Sequence, residues 1–403
     1  MNSSVKHIEW MGHVVYVMVC ALVIGIFAWS AEPGYLELAT PRTEDAYYNL
    51  LVEAFRAGQL NVKREASPGL ARLADPYDPD MNYPYVWDLH YPSYELSYYK
   101  GKLYLYFGVT PALVLFWPYV ALTDHYLSHR TAVVIFYSLG FLAAAGLLRA
   151  VWRRYFPEVG VWAVIVGILT MGLATGILES LSRSDYHQVP VSCGFAFTML
   201  ALAASWRALH EPKRQIIWLL LASLAYGLAI GSRPSLLFGV IILLVPVVQA
   251  WRAATEPGSR RRVGSMLAAA VVPTVLIGLG LMLYNVLRFD NPFEFGLHYH
   301  LTNYRNNTAQ LFSLHYLWVN FRFYFLNQCD GAVISLFCRH CLCRLCQRAT
   351  MGLGRCMVEC CATIRWYGWP WPHRWHGEAG RWRRLPGCAI LWALRFYFSR
   401  FVR

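Results

Sequence analysis

Apolar and polar positions alternate in long blocks along this chain. Uninterrupted apolar runs fall at about 13–30, 131–148, 160–178, 190–206, 215–231, 235–251 and 264–286. Each is close to the ~20 residues that a helix needs to cross a bilayer. A further apolar stretch, 104–122, is broken by Pro111 and Pro118 and crowded with aromatic residues. Between the first run and this stretch lies a polar segment, 31–102. The pattern predicts an all-α polytopic membrane protein, a transmembrane helix bundle with a long first loop and no internal repeat.

The short connections assign sides. Arg149, Arg153 and Arg154 make one basic loop, Arg207, Lys213 and Arg214 a second, and Arg252 with Arg260, Arg261 and Arg262 a third. The connections between them carry one Arg each. Basic loops stay in the cytoplasm. With Lys6 also inside, the alternation closes only if 104–122 does not cross, so that stretch reads as an interfacial or re-entrant helix. The first run reads as an uncleaved signal anchor; a cleaved signal peptide is the rival, since Ala28-Trp29-Ser30-Ala31 loosely resembles a processing site. The extracytoplasmic face then gathers 31–130, 179–188, 231–234 and 285–308. No span carries Asp, Glu, Lys or Arg near its centre, whereas pumps and ion-coupled transporters place such groups in mid-membrane. The chemistry is therefore expected at the external surface.

Composition changes this picture in one place. The chain is 57% hydrophobic and 15% charged, against roughly a quarter charged in soluble domains. Its net charge of +13 is concentrated in the last 75 residues, where twelve Arg face three acids; residues 1–328 hold 24 basic and 20 acidic side chains. A surplus so placed does not indicate nucleic-acid binding. Cysteine is equally uneven: only Cys20 and Cys193 precede residue 329, and nine follow. Within 329–403, Cys338, Cys341, Cys343 and Cys346 with His340 have zinc-ligand types at short spacing. The reading adopted is different. Lys is absent after Lys213 while Cys, Arg and Trp crowd together, as in GC-rich DNA translated out of frame. The expectation is a membrane domain over 1–328 and an anomalous tail over 329–403, with the natural C-terminal half missing.

Candidate chemistry begins at TPRTEDAYYNLLVEAFRAGQL, residues 40–60. Thr43 suits a helix N-cap and Gly58 a C-terminal stop. Tyr47, Leu50, Leu51, Ala54 and Phe55 recur at helical spacing, which predicts an amphipathic helix on the membrane surface. Glu44 and Asp45 open it. They are either ordinary first-turn acids complementing the helix dipole or a catalytic carboxylate pair at the membrane–water boundary. Downstream, Asp75-Pro76-Tyr77-Asp78-Pro79-Asp80 is turn chemistry, with a calcium site as the alternative. The aromatics Tyr77, Tyr83, Tyr85, Trp87, Tyr91, Tyr94, Tyr98 and Tyr99 serve as interfacial anchors or as stacking surfaces for sugar rings; spacing leaves both open.

The order of these features resembles the GT-C glycosyltransferases: a signal anchor, an acidic pair opening the first external loop, a Lys before an aromatic re-entrant stretch, then many spans. The phrases GKLYLYFGVTPALVLFWPY, GLAIGSRPSLLFG and YNVLRFDNPFEFG are similar to those of the family 39 and protein O-mannosyltransferase-like group, which includes the aminoarabinose transferases of lipid A. The resemblance covers about residues 10–327. It implies a bacterial inner-membrane enzyme with an extracytoplasmic site. A sugar would move, with inversion, from a polyprenyl-phosphate donor to a lipid, glycan or protein acceptor. Asp45, with Glu44 beside it, matches the family's first-loop acid, although the Glu-Asp order departs from relatives in which an Asp commonly comes first. Lys102, with Lys100 as neighbour, matches the donor-phosphate lysine, although the double proline that often follows is absent here. Arg183, Arg233 and Arg288 lie on the same side and suit the phosphate; each is otherwise an interface anchor. Asp185 and His187 form a possible second-loop site, and Asp290 reads as a turn residue. No resident metal ligands are assigned, and a divalent cation stays open as a cofactor. A lipid or polysaccharide transporter and a non-catalytic membrane protein are the alternative functions.

Overall fold

A computed structural model of the chain describes residues 3–31, 47–88, 93–182, 184–254, 257–303, 305–307 and 313–322. It divides into Met1–Phe312 and Ser313–Arg403. In the second unit the described part is the short helix His315–Phe321. The tail from residue 329, with its zinc-type spacing, lies outside the described residues.

The first unit is mostly helical, and its described part contains seven helices long and apolar enough to cross a membrane. They comprise α1 (Ser3–Ser30), α5 (His129–Tyr155), α6 with α7 (Val161–Leu173 and Ile177–Ser182), α8 (Gln188–His210), α9 (Gln215–Ser232), a 3₁₀ segment with α10 (Pro234–Leu244 and Val245–Ala253), and α11 (Pro257–Phe289). All seven coincide with the apolar runs, and several reach past them. In α5 the Ser128 hydroxyl accepts from Thr131 N at 3.1 Å, a side-chain cap that starts the helix two residues before the apolar run. Arg153 and Arg154 end it, where cations offset the exposed carbonyls.

Neighbouring helices pack in order, α5 on α8, α8 on α9 and α9 on α11. Small residues let backbones approach in a membrane bundle. Gly227 of α9 is one: an added Cβ would stand 2.6 Å from Ile277 Cδ1 and 3.3 Å from Thr274 Cα. Next to this contact α11 carries an internal proline, Pro273. Proline weakens the helical hydrogen-bond ladder, and a neighbouring serine compensates. Thr274 N donates to Ser223 Oγ at 3.2 Å, and Thr274 Oγ1 donates to the Ser223 carbonyl at 2.8 Å.

The described part of the long loop is folded. Helix α2 (Tyr47–Arg56) ends where the sequence places its stop. Gly58 has φ +73°, Gly58 N donates to Phe55 O at 3.0 Å, and Gln59 N donates to Ala54 O at 2.9 Å. This pair of bonds is the Schellman motif. The surface placement is corrected, because every residue from Tyr48 to Ala54 is buried. The polar members of that run are paired: Asn49 Nδ2 donates to Leu127 O at 3.0 Å, and Tyr126 Oη donates to Glu53. The helix is thus an inner element of the loop layer.

Asp78 caps α3 (Pro79–Val86), its carboxylate accepting from Asp80 N at 3.1 Å. Asp75 accepts from Tyr77 N at 3.0 Å and pairs with Arg305, so this segment is a built turn. Two short strands, β1 (Ser97–Tyr99) and β2 (Lys102–Tyr104), depart from the all-helical expectation. Lys100 and Gly101 join them at φ +47° and +77°, the backbone of a type I′ hairpin. The stretch 104–122 does not form a span. It leaves β2 and continues as a π-helical turn (Ala112–Phe116) and α4 (Trp117–Thr123). Twelve residues of helix rise only about 18 Å, against a hydrocarbon core of about 30 Å.

Candidate functional site

Four segments far apart in sequence meet around one cavity of about 500 Å³. They are 106–109 after the hairpin, His187 and Pro190 at the start of α8, Ile230–Ser235 at the α9 corner, and 281–298 at the end of α11 and beyond it. These correspond to the four stretches that the charge pattern gathers on one face. The corner is tight: an added Cβ on Gly108 would lie 2.2 Å from Ser232 O and 2.4 Å from Gly231 O. Only a glycine lets the loop backbone touch the end of α9 this closely.

Two arginines line the cavity. Arg288 is buried. Its Nη1 donates to Leu105 O and its Nη2 to Asn285 Oδ1, each at 2.8 Å. Its guanidinium lies 3.8 Å from the Tyr284 ring centroid. Among the described residues, Nε has no hydrogen-bond partner and no carboxylate lies within ion-pair distance. Glu294 acts on the guanidinium electrostatically without a direct ion pair, and a buried cation so placed favours an arriving anion. Arg233, at the turn after α9, is exposed and forms no ion pair among the described residues. The cavity also contains an acid, Glu294, whose carboxylate accepts from Gly296 N at 2.6 Å and pairs with His298.

The third cationic group is His187. Its Nε2 is 3.5 Å from Glu95 Oε2 and its Nδ1 is 3.6 Å from Asp185 Oδ1. Asp185 also accepts from the backbone of His187 at 2.8 Å and of Gln188 at 3.2 Å, fixing the turn into α8. Glu95 in turn lies 3.1 Å from Nε2 of buried His300, off the angle of a hydrogen bond. Burial alone would lower the His187 pKa, but hydrogen bonds and charge from Asp185 and Glu95 outweigh it and raise the group to about 9. Burial would raise Glu95, but His187 and His300 bring it down to about 2. The result is a carboxylate–imidazole–carboxylate–imidazole row with His187 cationic at neutral pH.

Backbone pairing holds this row in place. Glu95 N donates to Leu301 O at 3.0 Å, Leu301 N to Leu96 O at 2.8 Å, and Tyr98 N to Tyr299 O at 2.8 Å. The segment 299–301 thus runs along the 95–98 edge. Glu95 has φ +61°, a conformation that a non-glycine side chain adopts at a cost. Strain of this kind clusters at functional sites.

Of the residues expected to act, Arg233, Arg288 and His187 come together at the cavity, with Asp185 behind His187. Lys100 does not join them: it lies at the exposed hairpin tip and pairs with Asp290 at 2.6 Å. Asp290 is a turn residue at φ +56°. Lys102 begins β2, is exposed and does not line the cavity. Asp45, Glu44 and Arg183 lie outside the described residues. Glu95 and His300 have no local motif around them that marks a site, and Glu294 lies within YNVLRFDNPFEFG without having been singled out there. Among the described residues, no three His, Cys, Asp or Glu side chains are arranged to hold a metal ion. No protein-family model, curated protein or solved structure matches this chain.

Proposed function

We propose that the chain is a membrane glycosyltransferase that takes its sugar from a polyprenyl-phosphate donor on the extracytoplasmic face. One observation carries the reading: the cavity holding Arg233, Arg288 and His187 adjoins an apolar groove. The groove, about 460 Å³ between α9, the 3₁₀ segment and α11, shares Ile230 with the cavity wall. A phosphate with a long hydrocarbon tail has the same two parts. Its charged end suits the cations, and its tail suits Leu237, Ile241, Val271, Val275 and Leu279.

In the proposed reaction, an acceptor hydroxyl or amine attacks the anomeric carbon. The bond from that carbon to the phosphate oxygen breaks, and the polyprenyl phosphate leaves with the electron pair. Asp45, with Glu44 beside it, takes the acceptor proton. Arg233, Arg288 and His187 stabilise the charge growing on the leaving phosphate. The assay is transfer from a polyprenyl-phosphate sugar in membranes, with protein level matched. Asp45→Asn is expected to lower the rate about 10²–10⁴-fold, as loss of a general base does, and Glu44→Gln to cost less. Full activity of Asp45→Asn would remove the acid from the mechanism. Arg288→Gln is expected to cost more than Lys102→Ala, because Lys102 stands outside the cavity.

A further inference from the structure

A second pocket, about 600 Å³, lies at the other end of the bundle from the cavity. Helix α8 connects the two ends, from Gln188 beside the cavity to His210, and its 23 residues span about 34 Å. The pocket is lined by Pro212, Lys213, Arg214, Gln215, Ile216, Ile217 and Arg262. Arg262 reaches across from α11, donating to the Pro212 carbonyl and to Gln215 Oε1 at 3.4 Å. Lys213 and Arg214 come from the connection between α8 and α9. Among the described residues, none of the three cations forms an ion pair with a carboxylate. Glu211, the acid of this connection, instead accepts from Trp218 Nε1 at 2.7 Å. On the membrane side of the cations, Ile216 and Ile217 are exposed at the start of α9.

We infer that this pocket binds the headgroup of an anionic phospholipid, with Lys213, Arg214 and Arg262 on the phosphate and the acyl chains along Ile216 and Ile217. Basic residues at a membrane boundary are ordinary topology signals, and Arg260 and Arg261, which do not line the pocket, fit that description. The pocket differs in three respects. Its cations come from two elements, they converge on one concave space, and that space runs directly onto apolar surface. A soluble polyanion would use the charge but leave Ile216 and Ile217 unmatched. An anionic lipid uses both, and basic pockets between membrane helices bind such headgroups. This site does not depend on the glycosyltransferase reading.

The test is native mass spectrometry of the full chain in mild detergent, titrated with phosphatidylglycerol, phosphatidylcholine or inorganic phosphate. The parent is expected to retain phosphatidylglycerol in preference to phosphatidylcholine and to retain little phosphate. The variant Lys213→Ala/Arg214→Ala/Arg262→Ala should bind phosphatidylglycerol about a hundredfold more weakly, from about 1 kcal/mol per cation at an anionic surface and 1.4 kcal/mol per tenfold. Arg260→Ala/Arg261→Ala carries one charge change fewer and should keep the parent affinity. If the triple variant misfolds, Lys213→Ala/Arg214→Ala retains the Arg262 bonds and should still lose roughly tenfold or more. Equal retention of phosphatidylcholine, equal retention of phosphate, or equal weakening by the Arg260/Arg261 pair would each overturn the site.

Discussion

Among single residues, His187 is the most informative, because its charge state is set by carboxylates from two segments. Asp185 precedes it, Glu95 faces it from the first loop, and His300 stands behind Glu95. A raised histidine stabilises the fold most below its unfolded pKa of about 6.5, and the contribution fades as pH rises through about 9. A depressed carboxylate acts the other way: Glu95 contributes above about 4.5 and loses its contribution as pH falls through about 2. The row is therefore fully formed from about pH 4.5 to 6.5 and weakens towards pH 9. Thermal unfolding in detergent should show the parent ahead of His187→Gln at pH 6 and the gap closing by pH 9.5. A gap independent of pH would separate His187 from these carboxylates. His187 and Asp185 were legible because they sit in one short polar connection between apolar runs. Glu95 and His300 were not. Each is one of several ionisable residues in a long loop, and only the pairing of Leu96 with Leu301 singles them out by bringing them together.

Among elements, the short connections decide the shape of the cavity. Gly108→Ala would drive a methyl group into the Ser232 and Gly231 carbonyls, and rigid backbone cannot give way as a side chain does. Overpacking costs typically 1–3 kcal/mol, here expected at the upper end, seen as a lower unfolding midpoint and, on the proposed function, lost transfer. Gly146→Ala is the control. It lies inside α5 with nothing within 4 Å of the new methyl and should be neutral or stabilising by up to about 1 kcal/mol. The apolar runs specified the long helices well, since a span needs only length and hydrophobicity. The hairpin was hidden for the opposite reason. Its strands are short, and Lys-Gly at the turn lacks the Asn-Gly or Asp-Gly signal that announces a type I′ turn. The burial of α2 was hidden too. Its apolar stripe is real, but Asn49 and Glu53 look like a wet face until Leu127 O and Tyr126 are seen opposite them.

For the whole molecule, the sides of the membrane are the quantity to measure. His125 is exposed just before α5 and Tyr155 at its end, and the 27 residues of α5 rise about 40 Å. With the tail cysteines replaced by serine, His125→Cys and Tyr155→Cys should react with a membrane-impermeant maleimide from opposite faces. Cys20 and Cys193 are buried and should stay silent. Labelling of both new cysteines from one face would invert the reading of α5 as a span.

The pairing of 299–301 with the 95–98 edge also orders events in time. A ribosome delivers the first loop long before it delivers residues 294–301, and six of the seven spans are made in between. Until that late segment emerges, Glu95 has no His300 beside it and the cavity lacks Glu294, Phe295 and His298 from its wall. The helices can insert one after another as they are synthesised, while the cavity waits for the last of its segments. A nascent chain halted before residue 294 would carry all seven described spans around an unfinished cavity.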